Sequence, residues 1–228
     1  MANLVAATVF FMALHIGVSS TALRPMLVAR IGENAYRGLF SLLALAGLVW
    51  MVLAYNAADV VVLWSGGTGG RHIAFVLAFF AFYLAVASVT TPNPTAAGAE
   101  AALQREHAVQ GALKLTRHPL MWGIALWALA HIVANGHLAA LIFFGGLGLL
   151  ALVGSRLIDL KMARKGGEDW TRFAAETSWL PFLALGQRRT SYRLADLGWW
   201  RPALALALYL AFLFIGHEWL IGPPLIAI

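Results

Sequence analysis

The chain has 228 residues, 61% of them hydrophobic and 11% charged, against about 45–50% and about 25% in a soluble domain. That excess of apolar surface excludes an ordinary soluble fold, and the length leaves room for about six membrane spans of about 20 residues each. There is no cysteine, which excludes disulfides, zinc–thiolate sites, cysteine-ligated clusters and a thiolate ligand to iron. The net charge of +6 suggests no nucleic-acid partner here, because in a membrane protein a basic excess marks cytoplasmic loops and anionic headgroups.

Backbone groups in lipid must bond internally, so the apolar segments are expected to be helices. The first is Leu4–Leu23. No Lys or Arg precedes Arg24, so the segment lacks the basic region of a cleavable signal and is expected to be retained, with its amino end outside. The second span is Gly38–Tyr55. Val60–Trp64 is too short to cross and is expected at the interface, followed by a turn at Gly66–Gly70. Ile73–Val89 is the third span, ended by the TPNPTAAG break at Thr91–Gly98. Leu120–Ala134, Leu138–Gly154 and Ala203–Ile221 complete an all-α bundle of six spans forming one domain over residues 1–228. Trp199 and Trp200 read as interface anchors before the last span.

Charge sets the orientation. The loops near 24–37, 91–117 and 155–201 hold 15 of the 16 Lys and Arg residues, and only Arg71 lies on the other side. The positive-inside rule places those loops in the cytoplasm and both termini outside. In the last loop, Asp159, Lys161, Glu168, Asp169 and Arg172 read first as the solvated face of amphipathic helices, and second as a docking or catalytic surface.

Seven histidines are present. His72, His107, His137 and His217 fall in loops or near span ends, where imidazole is ordinary. His15 and His131 fall inside apolar runs, where an ionisable side chain marks a functional site by default. A single such residue can be a buried imidazole bonded to a neighbour; two in one small bundle favour a shared metal or haem, because neutral imidazole is the commonest metal ligand.

His118 differs. Pro119 suits the first helical position, which sets His118 at a helix cap near the cytoplasmic surface. From there to His131 a helix turns through about 1300°, leaving the two about 140° apart. His131 shares its face with Ile124, Trp127, Ala128 and Asn135, and His118 shares its own with Trp122. Counted by rise, His15 and His131 differ in depth by roughly 8 Å, and His15 with His118 by a similar amount in the other direction. Either could partner His15.

Four stretches, ALHIGVSS, RIGENAYRGLFSLLAL, TRHPLMWGIALWALAHIVANG and IDLKMARKGGEDWTRFAAETSWLPF, together resemble the NnrU family over roughly residues 5–190. These are bacterial membrane proteins associated with denitrification and nitric-oxide metabolism. The same domain occurs in plant zeta-carotene isomerase, a haem b protein that isomerises a cis double bond of a polyene and holds its iron by histidine. The resemblance implies a multi-pass protein of the bacterial inner membrane that binds haem b. It places motif histidines at His15, His118 and His131, with the ligands falling best on His15 and His131. It implies a small apolar or gaseous ligand, and does not imply carotenoid in particular.

RHPLMWG is also similar, more weakly, to an element of membrane methyltransferases that use S-adenosylmethionine. Met121 stands where those enzymes carry tyrosine, and RLIDLKM where they carry paired glutamates. A third expectation is a non-enzymatic assembly factor for a respiratory reductase.

Overall fold

The computed structural model describes residues 1–96, 98–105 and 107–221, with the side chains of Leu220 and Ile221 not described. Eleven α-helices are present among the described residues: α1 (Ala2–Ala13), α2 (Leu23–Ile31), α3 (Glu33–Asn56), α4 (Gly67–Thr90), α5 (Pro119–Asn135), α6 (Leu138–Lys165), α7 (Gly167–Glu176), α8 (Leu183–Gly186), α9 (Leu194–Leu197), α10 (Trp200–Ala211) and α11 (His217–Ile221). An isolated bridge between Val62 and His137 is the one β-type pairing among them.

Among the described residues four helical stretches are long and apolar enough to cross a bilayer: α3, α4, α6 and Trp200–Trp219, to which the bent pair Ala2–Val18 and Leu23–Ile31 adds a fifth if it counts as one span. α5 is equally apolar but has only 17 residues. Their outward faces carry large apolar side chains, with Leu42, Leu53 and Val89 more than 60% exposed. Water would penalise such faces and lipid would not. The chain is therefore an all-helical membrane protein.

Contacts divide the chain into two compact units, one of residues 1–74 and 127–157, the other of residues 75–126 and 158–228. In the first unit, α1 continues into a π-helical turn, Leu14–Val18, and then breaks. This is shorter than the expected Leu4–Leu23, and the local reason is SST at 19–21. The hydroxyls of Ser19 and Ser20 donate to the His15 carbonyl and that of Thr21 to the Gly17 carbonyl, which satisfies the orphan acceptors of a helix end. α2 leaves at 78° and packs on α3.

Trp50 Nε1–H donates to Asn3 Oδ1 at 3.0 Å, and Phe10 and Phe11 lie against Gly47, so α1 and α3 run antiparallel. Val61–Trp64 lies along the α5–α6 turn: Leu138 N–H donates to the Val61 carbonyl, and the Leu63 and Trp64 N–H groups donate to the Gly136 carbonyl. The expected turn at Gly66–Gly70 is instead mostly the first turn of α4, which starts at Gly67. Leu4, Ala7, Phe11, Met51, Ala128, Phe143 and Phe144 belong to the core of this unit.

Two glycines carry that packing. Gly136 has φ +65°, and a Cβ there would stand 2.1 Å from the Trp64 carbonyl oxygen. At Gly146 on α6, a Cβ would stand 2.4 Å from Thr8 Cγ2, and the Thr8 hydroxyl is already committed to the Leu4 carbonyl at 2.9 Å.

In the second unit, α4 ends at Thr90 as the TPNPT sequence requires. Tyr83, Leu84, Ala87, Ala112 and Ala205 form one cluster; Leu103, Leu113, Met162, Trp170 and Phe173 form another. α6 runs on to Lys165, so residues 155–165 are helix and not the start of a loop. α7 is amphipathic as expected, burying Trp170 and Phe173 while Asp169 and Arg172 pair on its exposed face. Lys114 Nζ donates to Asp196 Oδ1 at 2.8 Å, tying Gly111–Lys114 to α9.

Gly146→Ala is expected to cost about 1–3 kcal/mol through overpacking against Thr8, read as a lower melting temperature in detergent. Gly154→Ala, with open space around its Cβ, is expected to leave the melting temperature unchanged or raise it. Asp196 gives a pH test. Burial raises its pKa, but the Lys114 bond and charge and the Arg193 N–H outweigh that, so its carboxyl sits below the ordinary value of 3.8. Its stabilisation is therefore full above pH 3.8 and fades as pH falls through the lower folded value. Melting measured from pH 6 down to 3 is expected to converge for the wild type and Asp196→Asn at the acid end.

Candidate functional site

His15 and His131 both lie in the first unit and repeat one local arrangement. Each sits toward the carboxyl end of an apolar helix, where the nearest polar partner is its own backbone. His15 Nδ1 lies 2.8 Å from the Phe11 carbonyl oxygen, and His131 Nδ1 lies 2.8 Å from the Trp127 carbonyl oxygen. A carbonyl can only accept, so both imidazoles carry hydrogen on Nδ1. In the neutral imidazole that choice leaves the lone pair on Nε2.

The aromatic flanks repeat as well. His15 is held between Phe11, at 4.3 Å between ring centroids, and Phe40, at 5.3 Å. His131 lies between Trp127, at 4.7 Å, and Phe144, stacked at 4.4 Å. Phe11 and Phe144 belong to one core cluster, with Trp127 packed on it, so both imidazoles border the same apolar volume. His15 falls inside the π-helical turn, a distortion common at functional sites.

α6 is the ruler between them. Thr8 meets Gly146, and Ala128 meets Gly148. The Tyr55 ring at the end of α3 stacks on His137 at the start of α6, so α1 runs parallel to α6 while α5 runs back along it. Counted from those contacts, His15 and His131 differ in level by about eight residues, or about 12 Å. That exceeds the roughly 8 Å counted from the sequence.

His118 belongs to the second unit and is not at a surface: it is 2% exposed. The reason is the chain that crosses it. Arg117 N–H donates to the Ser178 carbonyl and Phe182 N–H to the Leu115 carbonyl. Thr116 Oγ1 and Trp122 Nε1 both donate to the Trp179 carbonyl, and Thr95 Oγ1 donates to the Arg117 carbonyl. Beneath this cover, His118 Nε2–H donates to Asp159 Oδ1 at 2.7 Å, while Arg117 Nη1 lies 3.8 Å from Asp159 Oδ2. His118 Nδ1 is buried and has no partner among the described residues.

This is the reverse arrangement to that of His15 and His131: the carboxylate holds Nε2 here, whereas those two commit Nδ1 to backbone. Asp159, its side chain 16% exposed, is thus a partly buried partner of His118 and Arg117 and not one more solvated loop charge. Sequence reasoning missed the pair because its members are 41 positions apart and Asp159 sits in a basic run.

The remaining histidines do structural work or stay exposed. His137 Nδ1 accepts from the Ala140 N–H at 3.1 Å and caps α6. His72 and His107 are exposed. His217 is buried, with Phe212 edge-on to its ring. Among the described residues no group of three His, Cys, Asp or Glu side chains converges on a point. Asp159→Ala would leave His118 and Arg117 without their carboxylate, and is expected to cost about 3–5 kcal/mol, measured by denaturant or thermal unfolding in detergent.

The chain is 32% identical over 196 residues to the protein named 15-cis-zeta-carotene isomerase, chloroplastic, from Arabidopsis thaliana, covering 78% of this chain and 49% of that protein. The counterpart of the same name from Zea mays is 29% identical over 182 residues, with the same coverage. The chain spans about half the length of these curated relatives. No solved structure matches it. The NnrU protein family matches residues 3–225, nearly the whole chain and all three motif histidines, and the chain belongs to that family.

Proposed function

We propose that this chain is a haem b protein of the bacterial cytoplasmic membrane, with His15 and His131 as the two ligands and an apolar polyene as the molecule it isomerises between cis and trans. The observation that carries the reading is the matched pair of imidazoles, each with Nδ1 bonded to the carbonyl one turn back on its own helix. A histidine that binds a metal donates its other ring N–H to a carbonyl or carboxylate, and both residues meet that requirement within one turn of backbone. The donor set suits a haem, for which two imidazoles suffice, and among the described residues no three His, Cys, Asp or Glu side chains gather as a free ion's cage would need.

Haem held between two imidazoles supplies one-electron redox chemistry, tuned by burial and by the hydrogen bonds to its ligands. The chain's own residues fix the imidazole tautomers, stack aromatic rings beside them and keep the surroundings apolar. Isomerisation adds and removes no atoms, so an apolar site without a bound co-substrate is sufficient for it. The plant relatives' name supplies the polyene as a substrate class; a small gaseous ligand such as nitric oxide would meet the same pair of imidazoles.

The methyltransferase reading needs Arg117 and His118 open to a soluble cofactor. Both are instead committed to Asp159 beneath the 177–182 segment. The topology that goes with the proposal is six crossings with both termini outside, the short α5 counted as one crossing and Ala2–Val18 as another, because that arrangement keeps nearly all basic residues on one side.

The visible spectrum of the purified protein, expressed with ample haem, tests the ligands. A Soret band is expected, lost or shifted in His15→Ala and in His131→Ala and kept in His118→Gln. No band, or a band indifferent to both alanine variants, would sink the proposal.

A further inference from the structure

A second polar cluster stands one helical turn from His15. Tyr36 on α3 is 6% exposed, and its hydroxyl is buried with no partner among the described residues. A buried hydroxyl without a partner is rare, because it has given up water for nothing. The Tyr36 ring lies 6.0 Å from Phe40, and Phe40 meets His15 edge-on at 5.3 Å, so the unmet hydroxyl belongs to the ring train that ends on the imidazole.

The charge beside it is unbalanced. The Arg24 guanidinium lies 5.6 Å from the centre of the Tyr36 ring, and its Nη2 donates to Glu33 Oε1 at 2.7 Å. Arg37 Nε donates to the same oxygen at 2.8 Å. Two guanidiniums thus share one carboxylate, and the cluster keeps one net positive charge. The sharp break after the π-helical turn is what brings Arg24 here, since α2 turns away from α1 and packs on α3. A donor without an acceptor and an uncompensated cation beside it both call for one kind of ligand group, an anionic oxygen such as a carboxylate.

We propose that Tyr36 and Arg24 receive a carboxylate of the haem whose iron His15 holds, the phenol as hydrogen-bond donor and the guanidinium as charge partner; this rests on the haem reading above. The pairing gives Tyr36 its missing acceptor, balances the Arg24–Glu33–Arg37 cluster, and orients the macrocycle edge toward α2. The headgroup of an anionic lipid has similar chemistry. The buried hydroxyl disfavours it, since a headgroup at the surface would meet Arg37, whose side chain is 66% exposed.

The test compares haem b with its dimethyl ester, in which both carboxylates are blocked, by titrating each into haem-free full-length protein in neutral detergent and following the Soret band. The wild type is expected to bind the free acid about ten-fold more tightly than the diester, the scale of one charge-assisted hydrogen bond. Tyr36→Phe and Arg24→Gln are expected to lose most of that preference while binding the diester as the wild type does, and Arg30→Gln to keep it. Equal affinity for acid and diester in the wild type, or a preference untouched by Tyr36→Phe and Arg24→Gln, overturns this assignment and leaves His15 and His131 standing as ligands. A preference that vanishes when phosphatidylglycerol is added gives the cluster to lipid and overturns it too. No Soret band with either form removes the haem reading and this inference with it.

Discussion

A polar side chain in an apolar helix always has one acceptor within reach, the carbonyl of the preceding turn, and this structure is organised around that fact. Thr8 uses the Leu4 carbonyl and Thr90 the Val86 carbonyl, as polar residues in membrane helices do. The same bond made by an imidazole does more. It commits Nδ1 as the donor and leaves Nε2 as the lone-pair nitrogen, so a requirement of burial becomes a choice of tautomer. His15 and His131 show the identical choice at the same distance, on two helices that border one apolar cluster. The proposed ligand role follows from backbone chemistry before any partner is considered.

What holds those two helices in position is α6. Gly146 admits Thr8, and Gly148 admits Ala128, so α1 and α5 each approach α6 at a small residue. Without a hydrophobic driving force between helices in lipid, close backbone approach and van der Waals contact do the work of association. The aromatic rings of Phe143 and Phe144 on α6 then occupy the space above the glycines, and Phe144 supplies the face on which His131 stacks. The break at Ser19–Thr21 belongs to the same design: it ends the first helix just past His15 and turns α2 onto α3, beside Tyr36.

The second unit solves the opposite problem. His118 is buried more deeply than His15 or His131, yet its partner is a carboxylate and not its own helix. Pro119 follows it at the head of α5, and His118 has entered no helix whose preceding turn could serve its ring. Asp159 therefore takes Nε2, and Arg117 shares the same carboxylate. The hydrogen bonds of residues 177–182 close over the pair, and the amphipathic α7 anchors that segment through Trp170 and Phe173.

Several of these features were legible in the amino-acid order. Composition dictated a helical membrane protein, the TPNPT break ended α4 where expected, and His15 and His131 stood out because ionisable residues are costly in apolar runs. Motif resemblance reached the correct family. Other features were not legible because their causes lie between segments distant in the chain. Asp159 looked like one charge among several until its distance to His118 was known, and no local pattern marks the Tyr36 hydroxyl as buried and unmatched. Periodicity reports which side of a helix is apolar; it does not report which carboxylate will arrive from 41 residues away, or that α2 will fold back to place Arg24 over a ring on α3. Sequence alone determined the solvent this chain lives in and the histidines worth asking about. Tertiary structure decided that His118 would meet Asp159 and that Arg24 would lie beside Tyr36, because partners distant in the chain are a matter of position.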